Sequence, residues 1–211
     1  KSPYIILKGS NHEEAIRLCF NSIFLNSGQT CTAFSRLLIP KSEQSVIEKK
    51  LIEIAKEYTT GNPEDSSTKL GPLASLRQYE KVKSYIESGI QEGARLLYGT
   101  VPENSNNGYY ISPTIFTCVT SEMSIARDEI FGPVLCVFPY ETEEEAIRIA
   151  NDTRYGLNAG VYGEKEKAIA VAKKIEAGNI YINASPRDTS APIGGYKQSG
   201  LGREGGIYGM I

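Results

Sequence analysis

The chain has almost no histidine, no paired-cysteine motif and no long apolar run. Its one histidine, His12, and its four cysteines, none spaced as C-x-x-C, argue against a zinc site, and no metal is expected. A Cys–His hydrolase needs an imidazole beside its thiol, and His12 lies a full predicted helix length before the nearest polar-loop cysteine. No apolar stretch approaches the ~20 residues that a spanning helix needs, and no signal-peptide pattern is visible. Lys and Arg number 23 against 25 Asp and Glu, a formal charge of −2. With no basic cluster and no acidic tail, neither a nucleic-acid nor a membrane partner has support. The unpaired cysteines suit a reducing compartment and predict cytoplasmic thiols without disulfides. No internal repeat is present.

What remains is an ordinary globular composition. The 211 residues suffice for one large domain or two small ones, and an apolar share of 40% can bury a core. The chain opens on Lys1, leads at once into an apolar run, and stops abruptly after Gly209-Met210-Ile211. This predicts a segment of a longer protein.

Apolar residues recur at helical spacing over residues 12–26, 43–58, 75–91, 142–150 and 164–177. Asn11 with Glu14 marks the start of the first helix, and Thr142 with Glu145 forms a capping box. Gly93 stands where a C-terminal cap belongs. Between these lie short apolar runs at 4–7, 36–39, 95–98, 114–119, 134–138, 159–162 and 179–182. Most do not alternate strictly, as expected of strands buried on both faces of a parallel sheet. The pattern predicts an α/β fold, a mainly parallel β-sheet layered with helices. Pro102–Gly108 reads as a surface loop, because regular elements continue on both sides of it.

Cys31 stands apart from the other cysteines. It sits in the polar, glycine-containing stretch Asn26-Ser-Gly-Gln-Thr-Cys31-Thr32, between a helical run and a strand-like run. Backbone N–H groups of such a turn can stabilise a thiolate and later an oxyanion. The pattern alone leaves two readings open, a nucleophile or an incidental loop cysteine. Cys19 falls on an apolar helix face, and Cys118 and Cys136 fall in strand-like runs, so all three read as small buried hydrophobes.

Residues 200–205 spell G-x-G-x-x-G, but no strand precedes them and no helix follows. A dinucleotide fingerprint requires both. The seven glycines between Gly194 and Gly209 read instead as a tight irregular loop, suited to walling a channel or packing on a partner.

Several motifs together resemble the aldehyde dehydrogenase family. Asn26-Ser-Gly-Gln-Thr-Cys31 is similar to its nucleophile segment, and Glu129-Ile-Phe-Gly-Pro-Val134 to its cofactor-contact segment. Pro192-Ile-Gly-Gly-Tyr-Lys-Gln-Ser-Gly200 with Gly202-Arg-Glu204 resembles its C-terminal loop signature. Tyr155-Gly-Leu157 and Gly178-Asn-Ile-Tyr-Ile-Asn183 fall in the expected order between them. The likeness spans residues 1–211 and implies the catalytic domain of that family.

The resemblance implies that Cys31 attacks an aldehyde, forming a thiohemiacetal that passes hydride to NAD or NADP and leaves a thioester for water to hydrolyse. It implies that the Cys31 N–H forms half of the oxyanion hole. Glu129 and Gln78 would bind the nicotinamide ribose, and Phe131 would pack beside the nicotinamide. Thr30, Thr32, Asn183 and Ile193 would line the substrate site. Ile193 stands where the family usually has Phe, which removes one aromatic wall. Arg187 and Asp188 read as solvated, with contact to a polar substrate as the alternative. The family's general base, nucleotide-binding domain and second oxyanion donor lie before the position of Lys1, and its strand-forming oligomerisation arm lies after Ile211. The segment alone is therefore expected to be nearly inactive, with the full-length protein a homodimer or homotetramer acting on a small-molecule aldehyde. A thiol esterase or acyl-transferase, a coenzyme A-acylating relative and a non-catalytic interaction module are the other readings.

Overall fold

The structure is a computed structural model that describes residues 1–103, 108–186 and 188–209. In chain order it contains β1 (Pro3–Ile6), α1 (His12–Ile23), β2 (Arg36–Pro40), α2 (Gln44–Ala55), α3 (Leu76–Gln91), β3 (Arg95–Tyr98), β4 (Thr114–Thr117) and α4 (Ser124–Arg127). It continues with β5 (Val134–Tyr140), α5 (Glu143–Asn151), β6 (Tyr155–Gly156), β7 (Asn158–Tyr162), α6 (Lys165–Ala172), β8 (Asn179–Ile182) and β9 (Tyr196–Lys197). Seven strands form one sheet in the order β3-β4-β5-β2-β1-β7-β8. All pairs are parallel except β3 with β4. The expected α/β layering with a mainly parallel sheet is what forms.

Side chains leave each strand on alternate faces, and here both faces are apolar. Tyr4 and Ile6 of β1, Leu37 and Ile39 of β2, and Leu135 and Val137 of β5 pack with the buried residues of α1 and α2. Ile5, Leu38, Cys136 and Phe138 point the other way, against residues of α3 to α6. This two-sided burial explains why the strand runs are continuous rather than alternating.

The caps form as the sequence predicts. Asn11 accepts from the Glu14 N–H at 3.4 Å, and Thr142 accepts from the Glu145 N–H at 3.2 Å. Glu145 reaches back to the N–H of Glu141 rather than that of Thr142, at 2.8 Å. The helix expected over 164–177 ends at Ala172. Asn151 supplies the reason: its side chain donates to the Lys174 carbonyl and accepts from the Glu176 N–H, both at 2.9 Å, so that backbone is held outside the helix.

Two elements were not expected. Strand β9 ties the glycine-rich segment to β6 at Tyr155-Gly156, and α4 is a single turn. Cys118 corrects an expectation. β4 stops at Thr117, and Cys118 adopts φ 56° and is exposed, not buried in a strand. Cys19 and Cys136 are buried as expected. Of the loop expected at Pro102–Gly108, residues 104–107 lie outside the described residues.

Candidate active site

The approach to Cys31 is a tight backbone elbow. After α1 ends, Asn26, Ser27 and Gly28 take φ values of 51°, 54° and 77°, three left-handed residues in succession. Two of them are not glycine, and left-handed backbone costs about 1–2 kcal/mol for such residues. Local bonds hold it. Asn26 Nδ2 donates to the Gln29 carbonyl at 3.1 Å, and Gln29 Nε2 returns to the Asn26 carbonyl at 3.2 Å. Ser27 Oγ donates to the Gly71 carbonyl at 2.8 Å, and Gln29 Oε1 accepts from the Ala74 N–H at 2.9 Å. Strain maintained by such supports is common at functional sites.

Beyond the elbow Cys31 is exposed. Its backbone N–H donates to no acceptor among the described residues, leaving it available to an oxyanion. The segment after it is clamped twice. Asn158 Nδ2, from β7, donates to the Thr32 carbonyl at 2.8 Å, and Ser22 Oγ, from α1, accepts from the Phe34 N–H at 3.1 Å.

A second loop, residues 128–133, lies against the first. Gly28 permits the approach: a Cβ built on it would sit 2.2 Å from the Gly132 carbonyl carbon and oxygen. One small cleft is lined by Gly28, Thr30, Cys31, Glu129, Phe131 and Lys1. Phe131 holds φ 62°. The Glu129 carboxylate takes part in no hydrogen bond or ion pair among the described residues, whereas its backbone carbonyl accepts from Lys81 Nζ at 2.9 Å. Burial pulls the Lys1 ammonium below its ordinary range, the first of several influences on it.

Gln78 lies on α3 beside the same loop. It is half-buried, and its Nε2 donates to the carbonyls of Ile130 and Phe131, at 3.0 and 2.8 Å. Its amide nitrogen thus supports the loop from beneath. A second cavity is lined by Thr32, Asn158 and Asn183 among others. Asn183 has φ 54°, and its Oδ1 accepts from the Gly163 N–H at 2.8 Å. Ile193 lines neither space. It forms an isolated antiparallel bridge with Glu204, closing the glycine-rich segment on itself. Arg187 lies outside the described residues, and Asp188 accepts from Ser190 in a local turn.

His12 sits at the far end of α1 from the thiol, its Nε2 2.7 Å from Glu43 Oε2. Sequence reasoning missed the Asn158 clamp, because 126 residues separate it from Thr32. It also missed the left-handed elbow, for which Asn26 and Gly28 were the available signals.

The whole chain resembles known proteins. The Aldehyde dehydrogenase family matches residues 1–211. The chain is 47% identical over 213 residues to a 3-succinoylsemialdehyde-pyridine dehydrogenase of a Pseudomonas species, covering 100% of this chain and 45% of that protein. It thus spans about half the length of the curated relatives it matches. Among solved structures, a mutant aldehyde dehydrogenase C of Pseudomonas syringae, complexed with NAD+ and octanal, superposes with a TM-score of 0.95. It is 41% identical, over 99% of this chain and 44% of that one. An aldehyde dehydrogenase of Mycobacterium tuberculosis complexed with NAD+ gives a TM-score of 0.94 at 42% identity, over 99% and 44%. The chain belongs to the aldehyde dehydrogenase family.

Proposed function

We propose that residues 1–211 are the thiol-bearing catalytic domain of an NAD-dependent aldehyde dehydrogenase, with Cys31 as its nucleophile. The observation that carries this is the cleft in which an exposed Cys31 lies beside Glu129 and Phe131. Cys31 Sγ attacks the aldehyde carbonyl carbon, and the Cys31 N–H receives the developing oxyanion. The carbonyl of Thr32 and the N–H of Phe34 are already held, so the segment needs little reorganisation during attack.

The residues present fit a nicotinamide dinucleotide. The unpartnered Glu129 carboxylate suits a pair of ribose hydroxyls, and the half-buried Phe131 ring suits the edge of a flat ring. Gln78 acts through the loop it supports, with Oε1 left to accept from the same ribose. When bound, the dinucleotide supplies the hydride acceptor that turns the thiohemiacetal into a thioester. Water then releases the acid from Cys31. Thr30, Thr32 and Asn183 face the aldehyde, and Ile193 acts only through the glycine-rich segment that it closes with Glu204.

The free space beside Cys31 in this chain is about 20 Å³, near that of a single water. Turnover by this chain alone is therefore slow, because most of the dinucleotide has no wall to bind. Octanal and NAD+ test the reading, with NADH followed by absorbance. A chain extended to the length of its relatives forms NADH rapidly, this chain forms it far more slowly, and Cys31→Ser stops both. NADH formation undiminished in Cys31→Ser overturns the assignment.

A further inference from the structure

Asn158 is a polar residue in a strand that is buried from end to end. It opens β7, pairs with Asn179 of β8 and is 3% exposed. Asn is a poor strand former, and this one leaves a buried polar atom unsatisfied. Its Oδ1 has no partner among the described residues. The amide cannot turn over to relieve this, because Oδ1 would then face the Thr32 carbonyl, which only accepts. An apolar side chain would suit β7 better on both counts. Folded proteins leave few buried polar atoms unpaired, and local rules are broken mainly where function outweighs packing.

The useful atom of the amide is Nδ2. The Ala33 N–H donates to the Thr30 carbonyl at 3.2 Å, closing a turn whose central residues are Cys31 and Thr32. That closing bond is long for an N–H to a carbonyl. Asn158 Nδ2 reinforces it by donating to the Thr32 carbonyl at 2.8 Å. Of the hydrogen bonds that residues 30–33 make among the described residues, this one alone reaches a strand. The donor side is rigid. β7 lies between β1 and β8, and the Asn179 N–H donates to the Leu157 carbonyl at 3.1 Å, one residue before Asn158. A side chain set on a strand holds its target more precisely than one set on a loop. Together the two bonds fix the backbone around the Cys31–Thr32 peptide.

We propose that Asn158 is a positioning residue for Cys31. It acts through the Thr32 carbonyl, holding the turn so that the Cys31 thiol and the Cys31 N–H keep the relation that attack on a carbonyl requires. This rests on the reading of Cys31 above and adds a residue whose contribution is to reactivity, since the fold gains little from an amide at this place.

Acylation by p-nitrophenyl acetate tests this on the chain as it stands, because it needs no dinucleotide. Asn158→Leu keeps the outline of the side chain, removes the donor and removes the unpartnered oxygen. Thr32 is half-buried, so water can satisfy its carbonyl and the protein folds. The urea midpoint is unchanged or higher. The acylation rate at saturating ester falls about tenfold, the ratio that one good hydrogen bond carries, while the ester concentration giving half that rate stays the same. Asn158→Ala, which brings no bulk, gives the same split and serves if the leucine variant does not fold. Gly9→Ala, strained just before α1, lowers the urea midpoint without slowing acylation, so lost stability is not mistaken for lost position. Exchange of the Ala33 amide hydrogen, followed by NMR, rises in both Asn158 variants and reads the turn without reference to activity. An acetyl group found on a residue other than Cys31 in the unaltered chain overturns the nucleophile reading, and this proposal with it. With the acetyl on Cys31, an acylation rate unchanged in the Asn158 variants, or one that falls only in step with the urea midpoint, overturns this proposal alone.

Discussion

Replacing Gly28 by alanine separates two energies that the active-site elbow combines. Gly28 has φ 77°, and its added Cβ would meet the Gly132 carbonyl at 2.2 Å and the Pro133 nitrogen at 2.6 Å. Those are backbone atoms, which cannot swing aside, so the loops must part by roughly 1 Å to reach ordinary contact at 3.4 Å. Gly9 is the control. It has φ 78° and nothing within 4 Å of its Cβ. Gly9→Ala therefore carries only the left-handed penalty, about 1–2 kcal/mol. Gly28→Ala adds the overpacking term, about 1–3 kcal/mol, for a total of about 2–5 kcal/mol. Urea unfolding of the two variants measures the difference. Gly28→Ala also distorts the elbow that presents Cys31, so its Cys31 acylation slows while that of Gly9→Ala does not. Equal stability losses in the two variants would refute the reasoning, because the contact between the loops would then contribute nothing.

Further outcomes follow from other hydrogen-bonded side chains. Glu48 accepts from Gln44, Arg95 and Thr117 at 2.7, 2.6 and 2.7 Å. Burial pushes its carboxyl up, but these bonds outweigh burial and hold it below the usual range. A depressed carboxyl stabilises the fold above its unfolded value and loses that contribution as pH falls through its folded value. Glu48→Gln therefore destabilises at pH 7 and loses less at about pH 3; an equal loss in urea midpoint at both would contradict this. Arg36, 2% exposed, donates to the carbonyls of Lys1, Ile149 and Ala150. Arg36→Met leaves the end of α5 unpaired and costs about 2–4 kcal/mol in the same assay; a neutral change would show that the carbonyls find other partners. Gln78→Ala frees the Ile130 and Phe131 carbonyls and raises amide hydrogen exchange over residues 129–132 alone. Unchanged exchange there would show that the loop stands without Gln78.

The sheet was legible because both of its faces are buried. Runs such as Arg36-Leu37-Leu38-Ile39 and Val134-Leu135-Cys136-Val137 admit few other readings once helices separate them. Local competition hid the rest. The run through Cys118 continues apolar to Val119, yet the backbone turns left-handed at Cys118, and composition carries no sign of that turn. The last residues of the helix expected to 177 are taken by the side chain of Asn151, distant in sequence. β6 and β9 are two residues each and pair across forty, below what periodicity can register. In the site, the motifs pointed to Cys31, Glu129 and Phe131, and the fold brings them to one cleft. The cavity beyond Thr32 was invisible, because Tyr4, Phe34 and Asn158 meet there only through the order β2-β1-β7.

The most direct measurement of the central claim is acylation by p-nitrophenyl acetate, which requires a nucleophilic thiol and no dinucleotide. The chain is mixed with the ester, p-nitrophenol release is followed, and the acetyl group is located by peptide mass spectrometry. Exposed Cys118 is the internal competitor, and buried Cys19 and Cys136 are the blanks. The account predicts one acetyl per chain, on Cys31, with matching p-nitrophenol and no product in Cys31→Ser. Acetylation of Cys118 at the same or a greater rate, or release that persists in Cys31→Ser, would contradict it.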